Sequence, residues 1–143
     1  MQPLAQAPQG KLAEDELRWA ALALIAEAPR RGYEIIKLIE EKTAEWYSPT
    51  ANILYPMLNN FAEAGYVTAS AEPPRLYTIT EQGRVYLEQN REPVDAILRR
   101  LNALGERVRR WRRALGTDKR NEVVDDSAES LVEILSRADL QRR

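Results

Sequence analysis

Residues that break helices divide the first 65 positions into three segments, and this division constrains the fold more than any other feature. Helix-forming sequence runs over residues 12–28 and ends at Pro29. A second helical segment follows, and a third begins after Ser48 and stops at Gly65, since hydroxyl side chains favour a helix start and glycine favours its end. Apolar residues recur at helical spacing in each segment, so the pattern predicts three packed helices.

Two short β-prone runs follow the third predicted helix. Residues 66–70 and 76–79 are rich in Tyr, Val, Thr and Ile, and a Pro-Pro pair separates them, which predicts a two-stranded hairpin with a rigid tip. A long helical region then opens near Thr80. Three helices, a hairpin that acts as a wing and a further helix are the order of a winged helix-turn-helix. The predicted fold class is therefore α+β, mostly α.

Composition narrows the chemistry that such a fold can carry. The 143 residues include no Cys and no His, which excludes disulfides, thiolate or imidazole metal sites and Ser-His-Asp catalysis. No paired carboxylates or nucleophile constellation stand out either. We therefore expect no enzyme, no cofactor and no metal. No apolar run is long enough to cross a membrane and no secretory signal is visible, so a cytoplasmic protein is expected.

The long helical region carries a second hydrophobic pattern. Seven apolar residues step alternately by three and four positions, which is the spacing of a coiled-coil seam and predicts pairing with a second copy of the chain. These dimerisation residues are Val94, Ile97, Leu101, Leu104, Val108, Trp111 and Leu115. Pro93, just before them, predicts a kink or break. Seven arginines within 99–113 lie off this seam, and most are expected to be solvated or paired with acids of the second copy.

Three short motifs mark the first 90 residues. They are Gly-Tyr-Glu at 32–34, Leu-Tyr-Pro at 54–56 and Ile-Thr-Glu-x-Gly at 79–83. In this order and at this spacing they resemble the PadR family of transcriptional regulators. The resemblance implies a homodimer, usually a repressor, that binds double-stranded DNA at a pseudo-palindromic operator. It places the third helix in the major groove, the wing on the flanking backbone or minor groove, and the dimer contact on C-terminal helices.

The chain departs from the family pattern at the start of the third helix. Asn52-Ile53 stands where the family usually has Gly-Thr or Gly-Ser, so an aliphatic side chain replaces the small hydroxyl. In the wing, Leu76 takes the place of an aromatic residue. At least one DNA contact of the family pattern is therefore not expected in this chain.

Candidate DNA-binding residues come from the helix starts, the third helix and the wing. Base readout is expected from Asn52, Tyr55 and Asn59, because Asn pairs with adenine and Tyr reaches phosphate or a thymine methyl group. Phosphate contacts are expected from five more residues. They are Arg30, Tyr33, Ser48, Thr50 and Arg75.

A small aromatic effector is also expected from the resemblance, since some family members release DNA on binding such molecules. Trp19 and Trp111 are the candidate effector residues, because aromatic planes stack on planar ligands. Packing of these rings in the core and in the seam is the alternative interpretation.

The sequence thus predicts four segments. They are a flexible N-terminal arm (1–11), a winged helix-turn-helix DNA-binding domain (12–82), a dimerisation helix region (83–117), and a linker with a short C-terminal helix (118–143). Residues 1–80 carry seven Lys/Arg against ten Asp/Glu. This acidic balance favours one alternative, a winged-helix protein-interaction module. Ile53 in place of the small hydroxyl favours a second, a ligand-binding dimer without tight DNA binding.

Overall fold

The computed structural model describes residues 12–116. Within them the elements are α1 (Glu14–Glu27), β1 (Arg30–Arg31), α2 (Gly32–Lys42), α3 (Ala51–Glu63), β2 (Val67–Ala69), β3 (Leu76–Ile79), α4 (Glu81–Gln89) and α5 (Arg91–Leu115). This mostly helical winged helix-turn-helix confirms the predicted fold class. The predicted arm over residues 1–11 and the predicted linker and last helix over 118–143 lie outside the described residues.

The described residues fall into two compact units, of which the first ends at Arg107 and the second begins at Val108. The winged helix-turn-helix and most of α5 belong to the first unit. Of the second unit, only the last turns of α5 and Gly116 are described. No helix among residues 12–116 has the length and apolar character needed to cross a membrane.

Helix α1 lies at the centre of the core. Six consecutive residues from Ala20 to Ile25 are buried, so this stretch of the helix is apolar on all sides, as a segment enclosed by other elements must be. It packs against β3, α2 and α4. The cluster that it organises also takes in Leu58 and Phe61 of α3 and Ile97 and Leu101 of α5.

The turn between α2 and α3 is built around one buried hydroxyl. Thr43 is wholly buried, and its Oγ1 donates to the carbonyl oxygen of Ile39 at 2.9 Å and accepts from the N–H of Tyr47 at 3.2 Å. Ala44 and Glu45 follow with φ angles of 54° and 66°. This turn sets the position of α3 relative to α2, because it satisfies the polar groups at the end of α2 internally.

Helix α3 contains a proline. The helix begins at Ala51, after Ser48 as the sequence predicts, and Pro56 lies inside it. Proline lacks the N–H that would bond to the carbonyl four residues earlier. The Asn52 carbonyl therefore has no helical donor, on the exposed side of the helix.

The wing is a three-stranded antiparallel sheet in the order β1-β3-β2. Strands β2 and β3 form the predicted hairpin, with Val67 opposite Ile79 and Ala69 opposite Tyr77. The sequence interpretation missed β1, in which Arg31 pairs with Leu76 of β3. Strand β1 joins the wing to the start of α2, so the wing and the helix-turn-helix are one connected surface.

The motif Ile-Thr-Glu-x-Gly forms the joint between the wing and α4. Thr80 caps α4, since its Oγ1 accepts from the N–H of Gly83 at 3.0 Å and donates to the carbonyl oxygen of Gly65 at 2.7 Å. A Cβ atom on Gly83 would lie 2.2 Å from the carbonyl oxygen of Tyr66. Glycine is required at this position because α4 approaches the backbone at the end of α3 too closely for any side chain.

The long helical region after the wing consists of two helices. Helix α4 ends at Gln89, with Asn90 as its C-cap residue, and Pro93 falls in the first turn of α5, where a missing N–H costs little. This confirms the break expected near Pro93. Helix α5 is tied to α1 by an ion pair between Arg100 and Glu16.

Candidate nucleic-acid interface

The exposed side of α3 is an uncharged surface. Residues 51–60 include no Lys, Arg, Asp or Glu, and their opposite side is buried in the core. Apart from Ala51, the exposed residues of this segment are Asn52, Ile53, Tyr55, Pro56, Asn59 and Asn60. A helix face that serves only to meet water usually carries charged residues. This surface, which we call the reading face, therefore suits close approach to a partner.

Tyr55 is positioned by the start of α2. A Cβ atom built on Gly32 would lie 2.0 Å from Cε1 of Tyr55, so the ring rests on the backbone of residue 32, and only glycine leaves room for it. Tyr55 is nevertheless 42% exposed. The motifs Gly-Tyr-Glu and Leu-Tyr-Pro are thus two halves of one contact, which holds a tyrosine at the edge of the reading face.

A groove separates the reading face from the wing. Its volume is about 580 Å³. It is lined by Gly32, Tyr55, Asn59, Pro73, Pro74, Arg75 and Tyr77. Burial raises the pKa of the Tyr77 hydroxyl, and the nearby charge of Arg75 opposes that rise. The groove therefore combines aromatic walls, one amide and one cation, which are groups that can accommodate a sugar-phosphate strand.

The tip of the wing is ordered by its own hydrogen bonds. The guanidinium of Arg75 donates to the carbonyl oxygen of Ser70 at 3.2 Å, and Ser70 Oγ accepts from the N–H of Leu76 at 2.8 Å. Arg31 donates from β1 to the carbonyl oxygen of Pro74. Two guanidinium groups thus lie at the wing tip, although the sequence interpretation placed only Arg75 there.

Arg30 lies away from the reading face. Its Nε donates to the carbonyl oxygen of Leu24 at 3.0 Å, and its Nη2 pairs with Glu27 at 3.1 Å. Only 22% of its side chain is exposed. The guanidinium thus satisfies a carbonyl near the end of α1, where a positive charge is also favoured by the helix dipole. The expected phosphate contact gains no support from this geometry, in contrast to Arg31.

The remaining predicted phosphate ligands lie at the starts of α2 and α3. Tyr33 is exposed in the first turn of α2, and Thr50 is the exposed N-cap residue of α3. Both lie where unpaired backbone N–H groups favour an anion. Ser48 is also exposed, but its hydroxyl donates to Glu40 at 2.6 Å, so its proton is not available to a phosphate in this arrangement.

The predicted effector residues fall in different units of the chain. Trp19 lies 5.3 Å from the ring of Tyr86, which stacks on Tyr66 at 4.2 Å with the planes 6° apart. These three rings join α1, α4 and the start of β2. Trp111 is half-buried in the second unit. A shared effector pocket for Trp19 and Trp111 stays a prediction.

The predicted seam is buried over most of its length. Val94, Ile97, Leu101, Leu104 and Val108 are buried, Trp111 is half-buried and Leu115 is 47% exposed. Ile97 and Leu101 belong to the core cluster of the single chain. Their spacing therefore reflects packing within the chain at least as much as pairing with a second copy, and dimerisation stays a prediction.

The three-helix core, the reading face on α3 and the adjoining wing define a winged helix-turn-helix protein, the class that presents one helix and a hairpin to a duplex. Residues 21–89 match the Transcriptional regulator PadR-like family, a range that ends with the last residue of α4 and leaves α5 outside. These residues thus form a PadR-like domain, the similarity that the three motifs predicted.

Curated relatives share this region. The Transcriptional regulator YqjI of Escherichia coli (strain K12) is 37% identical over 90 residues, which are 62% of this chain and 44% of that protein. The Uncharacterized protein YqjI of Shigella flexneri gives the same figures. The chain therefore spans less than half the length of these relatives. A solved structure of a transcriptional regulator from Clostridium thermocellum is 29% identical, with a TM-score of 0.49, over 60% of this chain and 89% of that one.

Proposed function

We propose that this regulator binds double-stranded DNA as a homodimer, with α3 in the major groove and the wing on the flanking backbone. One observation carries the proposal. The reading face is exposed and uncharged, and it lies beside a wing tip with two guanidinium groups. Uncharged amide and apolar side chains can contact base edges, and guanidinium groups bind phosphates. In this proposal the reading face meets the base edges, and the wing tip meets the phosphates.

The residues divide into reading and positioning groups. Asn52 and Asn59 read base edges through their amides, as asparagine does with adenine. Tyr55, held on Gly32, lies between the two groups and reaches either a base or a phosphate. Tyr33, Thr50, Arg31 and Arg75 position the duplex through phosphates. We assign Arg30 to holding the end of α1 and Ser48 to its bond with Glu40.

The groove between α3 and the wing receives a sugar-phosphate strand in this proposal. When a helix enters the major groove and a wing contacts the adjacent backbone, one strand passes between them. Arg75 and the hydroxyl of Tyr55 then face its phosphates. The acidic balance of residues 1–80 implies few released counterions and hence a shallow dependence of affinity on salt.

Repression, dimerisation and effector release extend the proposal. A dimer through the seam on α5 presents two reading faces to a pseudo-palindromic operator. A small aromatic molecule that binds near Trp19 or Trp111 changes the spacing of those faces and releases the DNA. Saturable quenching of tryptophan fluorescence by an aromatic panel, lost in Trp19→Ala or Trp111→Ala, tests the effector. A panel that gives no quenching and no change in DNA affinity argues against it.

A protein-interaction module is the second candidate function. The acidic balance of residues 1–80 and the exposed apolar side chains of Ile53 and Tyr55 favour it. A protein ligand would meet the same reading face, but without any preference for a nucleotide sequence.

In vitro selection from a random duplex pool separates the two candidates. The full chain is incubated with the pool, bound duplexes are amplified over several rounds, and the enriched sequence is compared with a random duplex by fluorescence anisotropy. We expect a two-fold symmetric consensus bound at least a hundredfold more tightly than the random duplex, in line with specific recognition. A pool that stays unenriched contradicts the proposal and favours the protein-interaction module. An enriched sequence that binds no more tightly than the random duplex does the same.

A further inference from the structure

Ile53 is an aliphatic residue on the exposed side of α3. It lies in the first turn of α3 and is 44% exposed. Pro56, one turn later, is also exposed. Together they give the uncharged reading face an apolar strip. The N-terminal turns of a recognition helix are the part that contacts base edges, so this strip lies where a base would be met.

We propose that Ile53, supported by Pro56, contacts the 5-methyl group of a thymine in the major groove and makes the protein prefer thymine at that position. This inference rests on the proposed DNA binding. The major-groove edges of A·T and G·C pairs carry hydrogen-bond donors and acceptors, and the thymine methyl is their apolar group. An isoleucine side chain offers no donor or acceptor. It therefore gains from a thymine and loses from any base that presents a polar group to it.

The helical geometry directs Ile53 and Tyr55 toward different bases. Successive residues of a helix are rotated by about 100°, so Ile53 and Tyr55 lie about 160° apart, on opposite flanks of the reading face. Tyr55 occupies the flank next to Gly32 and the wing groove. Ile53 occupies the other flank, with Asn52 and Pro56 between them. The thymine contacted by Ile53 is thus a different base from any that Tyr55 reaches.

The experiment removes single methyl groups from the DNA. In the selected consensus duplex, each thymine is replaced in turn by deoxyuridine, which differs only by the missing 5-methyl group, and affinities are measured for wild type and Ile53→Ala. Burial of one such carbon is worth about 0.8 kcal/mol, which corresponds to about a fourfold change in affinity. We expect a fourfold loss for wild type at one thymine in each half-site, and no loss at that thymine for Ile53→Ala.

Two controls support the assignment. Val85→Ala removes an aliphatic side chain of similar exposure, 45%, from α4, and is expected to keep the wild-type response to deoxyuridine. Cytosine at the contacted thymine is expected to weaken wild-type binding, and 5-methylcytosine to restore part of the loss. Ile53→Ala changes an exposed helix position to a better helix former, so loss of folding does not confound the result.

The outcomes separate this inference from the function on which it rests. A wild-type protein that tolerates deoxyuridine at every position, or an Ile53→Ala variant with the same losses as wild type, overturns the thymine contact while DNA recognition stands. A wild-type protein that does not distinguish the consensus from a random duplex overturns the proposed function, and the thymine contact with it.

Discussion

The contact between Gly32 and Tyr55 shows how one residue type sets the geometry of another. The Tyr55 ring occupies the space that a side chain at residue 32 would need. A glycine at this position therefore orients a tyrosine on the next helix, and neither motif reveals this contact when read alone. The ring lies against the backbone of residue 32, which places it at the edge of the reading face.

Gly32→Ala is expected to weaken DNA binding through Tyr55. The new Cβ displaces the ring, and we expect operator affinity to fall by about 1–2 kcal/mol, as for loss of one good contact. Stability should change little, because a tyrosine side chain can move and alanine favours the helix more than glycine does. Anisotropy titrations and thermal melts measure the two effects. In a Tyr55→Ala background, Gly32→Ala should have no further effect on affinity, and a full additional loss would contradict the mechanism.

Glu16 gives a residue-scale prediction about pH. The N–H of Ala13 donates to its carboxylate at 2.9 Å and is the main cause of its lowered pKa; Arg100 contributes further, and burial opposes both. A carboxyl whose pKa is lowered in the folded state stabilises the fold at pH values above its ordinary pKa, which is about 4.3. That stabilisation is lost as the pH falls through the lowered pKa.

Glu16→Gln is therefore expected to destabilise the protein at pH 7 and not in acid. The pair with Arg100 is partly solvated, so screening limits the loss to about 0.5 kcal/mol. Urea denaturation at pH 7 and at pH 3 measures it, with Glu14→Gln in the same turn as the control. If the free energy of unfolding differs between Glu16→Gln and wild type by the same amount at both pH values, the carboxylate charge plays no part.

At the scale of elements, the joint around Thr80 fixes α4 to the end of α3. Gly83→Ala should be far more damaging than Gly32→Ala, although both introduce a Cβ into occupied space. At Gly83 the close neighbour is the backbone carbonyl of Tyr66, which cannot rotate away as a ring can. We expect Gly83→Ala to cost about 2–4 kcal/mol, in the range of overpacked or strained sites, and Thr80→Ala about 1 kcal/mol as a lost cap.

Urea unfolding followed by circular dichroism measures both losses. Arg84→Ala, at an exposed neighbouring position, is the control. Equal stabilities of Gly83→Ala and wild type would mean that the close approach of α4 to Tyr66 is not a constraint on the fold.

The wing provides a prediction about charge. Arg31→Ala and Arg75→Ala should each flatten the dependence of log affinity on log salt by about one unit and weaken all duplexes alike, because each removes one phosphate contact. Arg30→Ala should leave that slope unchanged and lower stability, since its guanidinium bonds to the end of α1. Titrations at four salt concentrations decide this. A slope altered by Arg30→Ala and not by Arg31→Ala would reverse the assignment.

The two adjacent arginines also show where sequence interpretation fails. The three helices and the hairpin were predictable because each has its own apolar period or breaker. Strand β1 has two residues, too few for any alternation to be visible. Yet a strand sends neighbouring side chains to opposite faces, and this places Arg30 against α1 and Arg31 at the wing tip. Without the strand, the sequence offers no basis for choosing between them.

At the scale of the whole molecule, the seam on α5 shows a different ambiguity. A spacing of three and four residues predicts an apolar stripe but not what covers it. Ile97 and Leu101 are covered by the chain's own core, a result that needs knowledge of where α5 lies. The reading face was predictable as an uncharged stripe, whereas the Gly32–Tyr55 contact and the groove depend on tertiary packing.

Dimerisation is best tested at Leu115. Leu101→Asp would place a charge in the core and unfold the chain, so a loss of dimer there would mean little. Leu115 is exposed in the single chain, and Leu115→Glu is expected to shift the dimer toward monomer at unchanged helix content. Light scattering with circular dichroism measures both, with Arg113→Glu, off the seam, as the charge control. A Leu115→Glu protein as dimeric as wild type would remove this end of α5 from the seam.

The central claim is that α3 reads bases while the wing positions the duplex, and comparison of Asn59→Ala with Arg75→Ala tests it most directly. Affinities for the selected consensus and for a random duplex are measured at several salt concentrations. Asn59→Ala should lose about 1–3 kcal/mol on the consensus alone with an unchanged salt slope. Arg75→Ala should lose affinity for both duplexes and flatten the slope by about one unit. Equal losses on both duplexes for Asn59→Ala would contradict the account.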